Sequence, residues 1–200
     1  QGVGIVELQS EKTYALETRS GVVKRSTCPL PDKHEVSLIS LKEGDALIGI
    51  TETAAGADLV FVTDTASALV FSADAVRPQG LAAAGMAGMN TADSRVIFFG
   101  SGNKDSLLLT AANNSQALGA TDPGSCKLTP ISAFPSKGRG SMGVRCQRLL
   151  KGEDQLYFAG LVSPEPVLLD STGQTLEIPE IEPKRDASGS TAPGYIQGAC

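Results

Sequence analysis

Apolar residues in this chain fall in short runs bounded by Gly, Ser, Thr and Asp, and no segment holds a helical period. That pattern predicts an all-β protein of short strands. The runs come in pairs around a small turn that recurs along the chain. Residues 18–26 read TRSGVVKRS, 63–71 TDTASALVF, 121–129 TDPGSCKLT and 170–178 DSTGQTLEI, with Gly21, Ala66, Gly124 and Gly173 at the fourth position. A spacing of about 45 to 50 residues is that of propeller-like arrays, in which each strand-rich unit buries its faces only against its neighbours. On this basis the chain is a single repeat domain over residues 1–200, with repeats at 9–57, 58–104, 105–162 and 163–200 and with 1–8 as an edge strand of a neighbouring blade.

Within a repeat the order reads strand, turn, strand, loop, strand, strand. In the first repeat Tyr14-Ala15-Leu16 enters the turn and Val22-Val23 leaves it; strands follow over 36–41 and 46–50, around the hairpin chemistry of Glu43-Gly44-Asp45. The second repeat predicts strands over 59–63, 69–71, 86–89 and 96–99. In the third, both 106–110 and 117–121 could enter the turn, with 111–116 as an enlarged loop. The fourth predicts 167–169 and 175–178, a polar loop over 180–193, and a strand over 195–197. A second repeated element is a strand opening with Gly and an apolar residue: Gly85-Met86, Gly143-Val144 and Gly194-Tyr195, with Glu35-Val36 as a worn copy and Gly2-Val3 near the start. If blades exchange strands, residues 2–8 and 195–199 are the two edges of the array. Ala66 stands where the other turns have Gly; a positive φ there costs Ala about 1 kcal/mol, so this turn is expected to differ.

Apolar residues at 41% permit a core, but aromatics at 4% and the lack of Trp predict one made of Val, Ile, Leu and Ala. Cys28, Cys126, Cys146 and Cys200 show no CxxC spacing, which argues against a zinc or thioredoxin-type site and for reduced thiols in a cytosolic protein. No apolar run approaches the roughly 18 residues of a membrane span, and no signal peptide is recognisable. The first residue is Gln, which suggests a piece of a longer protein.

Val76-Arg77-Pro78-Gln79-Gly80, followed by Gly85-Met86-Ala87-Gly88-Met89, resembles the C-terminal domain of the A subunit of bacterial type IIA topoisomerases, DNA gyrase or topoisomerase IV. Cys126-Lys127-Leu128-Thr129 and then residues 134–144 (FPSKGRGSMGV) are similar to that family's "KRT … EYP-x-x-GRGGKGV" segment, and Lys24-Arg25-Ser26 to the same KR pair. The resemblance spans essentially the whole chain. It implies an all-β β-pinwheel, here of about four four-stranded blades with exchanged strands, whose basic rim binds and bends double-stranded DNA through the phosphate backbone. It also implies a domain that is itself non-catalytic and cofactor-free. In the parent enzyme ATP and Mg would act through other domains. The domain would work beside the catalytic core of its own chain, together with the B subunit, in the bacterial cytoplasm at the nucleoid. The gyrase-defining Gln-Arg-Arg-Gly-Gly-Lys-Gly box is not matched, and family sequences commonly carry six blades, which tilts the reading toward topoisomerase IV or a divergent gyrase-like protein.

The net charge of −5 argues against a polyanion partner only if charge is spread evenly, and in a repeat protein position decides. Wrapping DNA needs cations along a convex surface, because phosphate neutralisation must offset the bending energy. The expected contacts are Lys24, Arg25, Arg77, Lys127, Lys137, Arg139, Arg145, Arg148 and Lys151, with Lys184 and Arg185, flanked by Glu180, Glu182 and Asp186, as weaker ones. Gly21, Gly138, Gly140, Gly143 and Gly173 are the expected turn glycines. The third repeat would carry most of the binding, and the second, with Leu81, Ala84 and Ala87 in its loop, little. Charge reversal at Lys137, Arg139 and Arg145 is expected to outweigh reversal at Lys184 and Arg185. The competing reading is a degenerate propeller that docks on the topoisomerase core or another protein. A propeller enzyme is poorly supported: His34, the one histidine, reads as a surface residue, and no Walker loop or metal-ligand spacing is present.

Overall fold

The computed structural model of the chain describes residues 3–7, 12–27, 31, 33–117 and 122–200. Apart from 3-10 turns at Ala73–Ala75 and Ile131–Ala133, its regular structure is β throughout. The first repeat supplies β1 (Thr13–Thr18), β2 (Val22–Thr27) and β3 (Leu47–Thr53). The second supplies β4 (Asp58–Thr63), β5 (Ser67–Ser72), β6 (Met86–Ala87) and β7 (Val96–Gly102). The third supplies β8 (Leu107–Asn113), β9 (Ser125–Pro130), β10 (Val144–Arg145) and β11 (Gln155–Val162). The last supplies β12 (Leu168–Leu169), β13 (Thr175–Leu176), β14 (Ser190–Thr191) and β15 (Gly198–Ala199).

These strands form antiparallel sheets in the orders β3-β1-β2-β6, β10-β5-β4-β7, β11-β8-β9-β14 and β13-β12-β15. The outermost strand of each of the first three blades therefore comes from the following repeat. The register repeats as well: Met86 stands opposite Val23, Val144 opposite Ala68 and Ser190 opposite Cys126. A glycine precedes each exchanged strand because the backbones nearly touch there. A Cβ at Gly85 would stand 2.8 Å from the Val23 carbonyl oxygen, one at Gly189 2.6 Å from that of Cys126, and one at Gly143 would overlap that of Ala68.

The turn and the exchanged strand are mated. The carbonyl at the turn's fourth position accepts the amide two residues beyond the paired one: Gly88 N–H to Gly21 (2.9 Å), Cys146 N–H to Ala66 (2.9 Å) and Ala192 N–H to Gly124 (2.9 Å). This places the fourth Gly-led strand at Gly189-Ser190 and not at Gly194-Tyr195. Residues 195–197 are not a strand, because the amide of Ala192 already takes the turn carbonyl and the chain then runs directly into β15.

Ala66 adopts φ +61°, beside +84° at Gly21, +71° at Gly124 and +83° at Gly173, so its turn does not differ from the others. Thr18 and Thr63 hold these turns alike, each hydroxyl accepting the amide four residues on, Val22 (3.3 Å) and Ser67 (3.2 Å). Asp170 does the same for Gln174 (2.9 Å). In the third repeat the strand before the turn is β8, which includes Ala111 and Ala112; the alternative strand over 117–121 lies, apart from Ala117, outside the described residues.

The core lies between blades. Leu59 and Phe61 point with Ala15, Val23 and Phe99 into the space between the first and second blades, while Val60 and Val62 point with Leu108, Ile131 and Leu156 into the next. Leu107, Leu109 and Ala111 turn toward Leu168 and Ile196 of the last blade. A strand buried on both faces needs a continuous apolar run, as in the Leu-Val-Phe-Val stretch of β4. Three expectations are corrected at the edges. Residues 3–7 and 36–41 carry no strand, and the last blade has three strands among the described residues. Residues 38–40 direct polar groups at the neighbouring loop instead of a ladder: Ser40 Oγ donates to the Ala82 carbonyl (2.7 Å) and the Leu38 carbonyl accepts from Lys24.

Candidate nucleic-acid interface

The loops leading into the exchanged strands, residues 77–85, 136–143 and 181–189, form the outer rim. Each begins by docking on the second strand of its blade, through Gln79 N–H to the Arg25 carbonyl (2.9 Å), Lys137 N–H to Val70 (3.0 Å) and Glu182 N–H to Leu128 (2.8 Å). Each of the later loops then overlaps the exchanged strand of the blade before it. Gly140 N–H reaches the Gly88 carbonyl (2.6 Å), and Arg148 N–H reaches that of Ala187 (3.0 Å). An arginine makes the same staple twice: Arg139 Nη1 donates to the Ala87 carbonyl (2.7 Å) and Arg185 Nη1 to the Arg145 carbonyl (3.2 Å). Ala87 and Arg145 are equivalent, each the second residue of an exchanged strand.

This shingling decides which cations meet. Lys137, Arg139 and Arg145 come from the third repeat but sit on the rim of the second blade, and Arg145 and Arg148 are brought to Arg185 and its neighbour Lys184. Lys137, Arg139, Arg145, Arg148, Lys151 and Lys184 are exposed, and Arg185 is half-buried. Arg77 is exposed on the first rim loop, which is otherwise uncharged through Leu81, Ala82 and Ala84. Gly140 (φ +83°) and Gly143 (φ +79°) are required by conformation, whereas a Cβ at Gly138 would meet open space.

Lys24, Lys127 and Arg25 are not part of this surface, contrary to expectation. Lys24 is fully buried, and its ammonium donates to the Leu38 and Leu81 carbonyls. Lys127 is 2% exposed, and its Nζ donates to the carbonyls of Arg185 (2.6 Å), Lys184 (3.1 Å) and Ala187 (3.2 Å). An ammonium has three hydrogens, so Lys127 has none left for a phosphate. Arg25 braces the next blade's 3-10 turn, with Nη1 on the Ala73 (2.6 Å) and Val76 (3.2 Å) carbonyls and on Asp74 (3.3 Å).

Burial pulls the Lys127 ammonium down to about 8 and lowers Lys24 as well. It pushes the Cys126 thiol up to about 11 and that of Cys146 to about 12. Both are separate, unreactive thiols; Cys28 lies outside the described residues. One signal of the buried lysines was present in the sequence. The position of Lys24 and Lys127 is Leu69 in the second repeat, and an apolar residue at an aligned site marks a buried environment. Among the described residues no group of three or more His, Cys, Asp or Glu side chains is arranged to hold a metal ion.

Blades completed by a neighbour's strand, with arginine-linked loops along the rim, define a β-propeller of the strand-exchanged, pinwheel type. The chain belongs to the family described as the DNA gyrase C-terminal domain, beta-propeller, whose model matches residues 57–99 and 118–160. It is 35% identical over 150 residues to the A subunit of DNA gyrase from Mycobacterium leprae, covering 72% of this chain and 11% of that protein. It is 31% identical over 181 residues to the same protein of Mycolicibacterium smegmatis, covering 86% of this chain and 20% of that one. The chain thus spans a fifth or less of these relatives and corresponds to a domain of a type IIA topoisomerase A subunit. Its fold is shared with the solved C-terminal domain of DNA topoisomerase IV (TM-score 0.79, 20% identity, 98% of this chain and 63% of that one). The DNA gyrase A C-terminal domain is similar too (TM-score 0.75, 19% identity, 96% of this chain and 64% of that one).

Proposed function

We propose that the linked rim of the second and third blades binds the backbone of duplex DNA and bends it, presenting segments for strand passage by a type IIA topoisomerase. The observation that supports this most directly is the Arg185 staple on the Arg145 carbonyl, which with the Arg148 N–H bond to Ala187 brings Arg145, Arg148, Lys184 and Arg185 to one junction between blades. Long, exposed cations there suit phosphates, which position a duplex without reading its sequence. The domain acts without cofactors of its own; ATP and Mg belong to other parts of the parent enzyme, which works in the bacterial cytoplasm through its catalytic core and its B subunit.

The test is binding to a duplex as salt is raised. Wild-type protein should bind at about 50 mM salt and lose affinity steeply by about 200 mM. Arg145→Glu with Arg148→Glu should abolish most of the binding while leaving the cooperative unfolding transition intact. No binding at low salt would favour the second reading, a module that docks on the topoisomerase core or another protein, to which the first rim loop, with Arg77 as its one charge, and the net charge of −5 lend support.

A further inference from the structure

The four rim cations at the blade-2/blade-3 junction do not share an element. Arg145 and Arg148 follow Gly143 in the third repeat, whereas Lys184 and Arg185 stand in a loop of the fourth that carries Glu182 and Asp186 and, counted from the docking residue to the glycine, is one residue longer (182–189 against 79–85 and 137–143). Something must hold that loop against the exchanged strand. Among the described residues, the interior group that reaches the turn of the loop itself is Lys127 on β9, whose three donors end on three of its carbonyls. On the facing side Arg148 N–H takes the Ala187 carbonyl, so the same residue is held from within and from the rim.

We infer that Lys127 is a positioning residue for the DNA rim: by gathering the carbonyls of Lys184, Arg185 and Ala187, it sets Lys184 and Arg185 beside Arg145 and Arg148, so that all four act on one stretch of phosphate backbone. The inference rests on the DNA reading above. Lys24 provides an internal control, because it clamps the first rim loop in the same way, through Leu81, where the described residues form no cation cluster. In the second blade the equivalent residue is Leu69, so the fold tolerates an apolar side chain at this site.

The groups facing the Lys127 amine are Cys146, Glu182, Asp186 and Arg185, and Glu180 lines the small cavity beside it, about 260 Å³ in volume. The Cys146 thiol stays neutral up to about 12, whereas burial brings the Lys127 amine down to about 8. A neutral amine has two hydrogens for three carbonyls, and the clamp slackens as it forms.

The experiment measures the slope of log affinity against log salt for a duplex, with wild type, Lys127→Met and Lys24→Met. Loss of two phosphate contacts should reduce the slope by about 2 in Lys127→Met, worth about tenfold in affinity over a fourfold change in salt, and leave it unchanged in Lys24→Met. The wild-type slope should also fall between about pH 7 and about pH 9, and that of Lys127→Met should not. A cooperatively folded Lys127→Met with the wild-type slope overturns the inference. If Lys127→Met does not fold, a wild-type slope that is constant across that pH range overturns it instead. Failure of wild type to bind at low salt sinks the DNA reading itself, a different result from binding whose slope ignores Lys127.

Discussion

Glu17 shows how little a residue's type says about its place. It lies at 0% exposure on β1 with neither carboxylate oxygen hydrogen-bonded, at the position that Val62 and Ala111 occupy in the next two blades. Burial, reinforced by Asp45, holds its carboxyl well above the ordinary value of 4.5. The folded state therefore keeps a proton that the unfolded chain releases. Stability is greatest below the unfolded value and falls as pH rises through the interval up to the folded one. Glu17→Val should raise the thermal midpoint by several degrees near neutral pH, at about 2–4 °C per kcal/mol, and flatten its decline as pH rises above the ordinary carboxyl value. A thermal melt series across pH checks this; an unchanged pH slope in the variant would show that Glu17 is not the titrating group. Ala66 is the opposite case. Its positive φ is unfavourable by about 1 kcal/mol, but its methyl is buried in the core between blades 2 and 3, worth a comparable amount. Ala66→Gly should consequently change unfolding free energy by less than about 0.5 kcal/mol in a denaturant titration, despite removing the strain.

Each exchanged strand is an element of two residues, too short to be held by its ladder alone. What fixes it is the glycine before it and the turn carbonyl beyond it. Gly189 has an ordinary φ, so Gly189→Ala tests the close approach without backbone strain. The added Cβ, 2.6 Å from the Cys126 carbonyl oxygen, should cost about 1–3 kcal/mol and loosen β14 from the third blade. Hydrogen exchange at the Ala192 amide should accelerate, while the amides of the β8–β9 hairpin keep most of their protection. Gly138→Ala, in open space, should leave stability within about 0.5 kcal/mol of wild type. The Gly-apolar motif announced β6 and β10 in the sequence. It misplaced the fourth copy because Gly194-Tyr195 matches the pattern better than Gly189-Ser190, and the two are distinguished by the pairing of Ser190 with Cys126 and the hydrogen bond from Ala192 to the Gly124 turn.

At the scale of the molecule, strand exchange redistributes charge. Cations written in the third repeat serve the rim of the second blade and meet those of the fourth repeat, a grouping that the sequence ranking of Lys184 and Arg185 below Arg145, made on their acidic flanks, does not contain. Since Arg185 binds the Arg145 carbonyl, Lys184→Glu with Arg185→Glu should weaken duplex binding as much as Arg145→Glu with Arg148→Glu, within about threefold at moderate salt. Anisotropy titrations of the two double variants decide it; a much milder effect at Lys184 and Arg185 would place the DNA path on the second blade alone. Arg77→Glu, on the otherwise uncharged first loop, serves as the comparison for a solitary rim cation.

The order of residues alone carries the recurring turns and two of the glycines that admit a neighbouring backbone, Gly85 and Gly143, because these depend on local conformation and short-range alternation, which recur wherever the same few residues recur. It also carries the family, through loop motifs whose spacing matches blade by blade. Which lysines face inward is settled only when the blades pack. Lys24, Lys127 and Arg25 look like rim cations until the following repeat closes over them and supplies carbonyls, and those carbonyls lie as far as 48 to 60 positions away along the chain. Charge at a surface is a property of what else is there, and in a strand-exchanged array that is always another repeat.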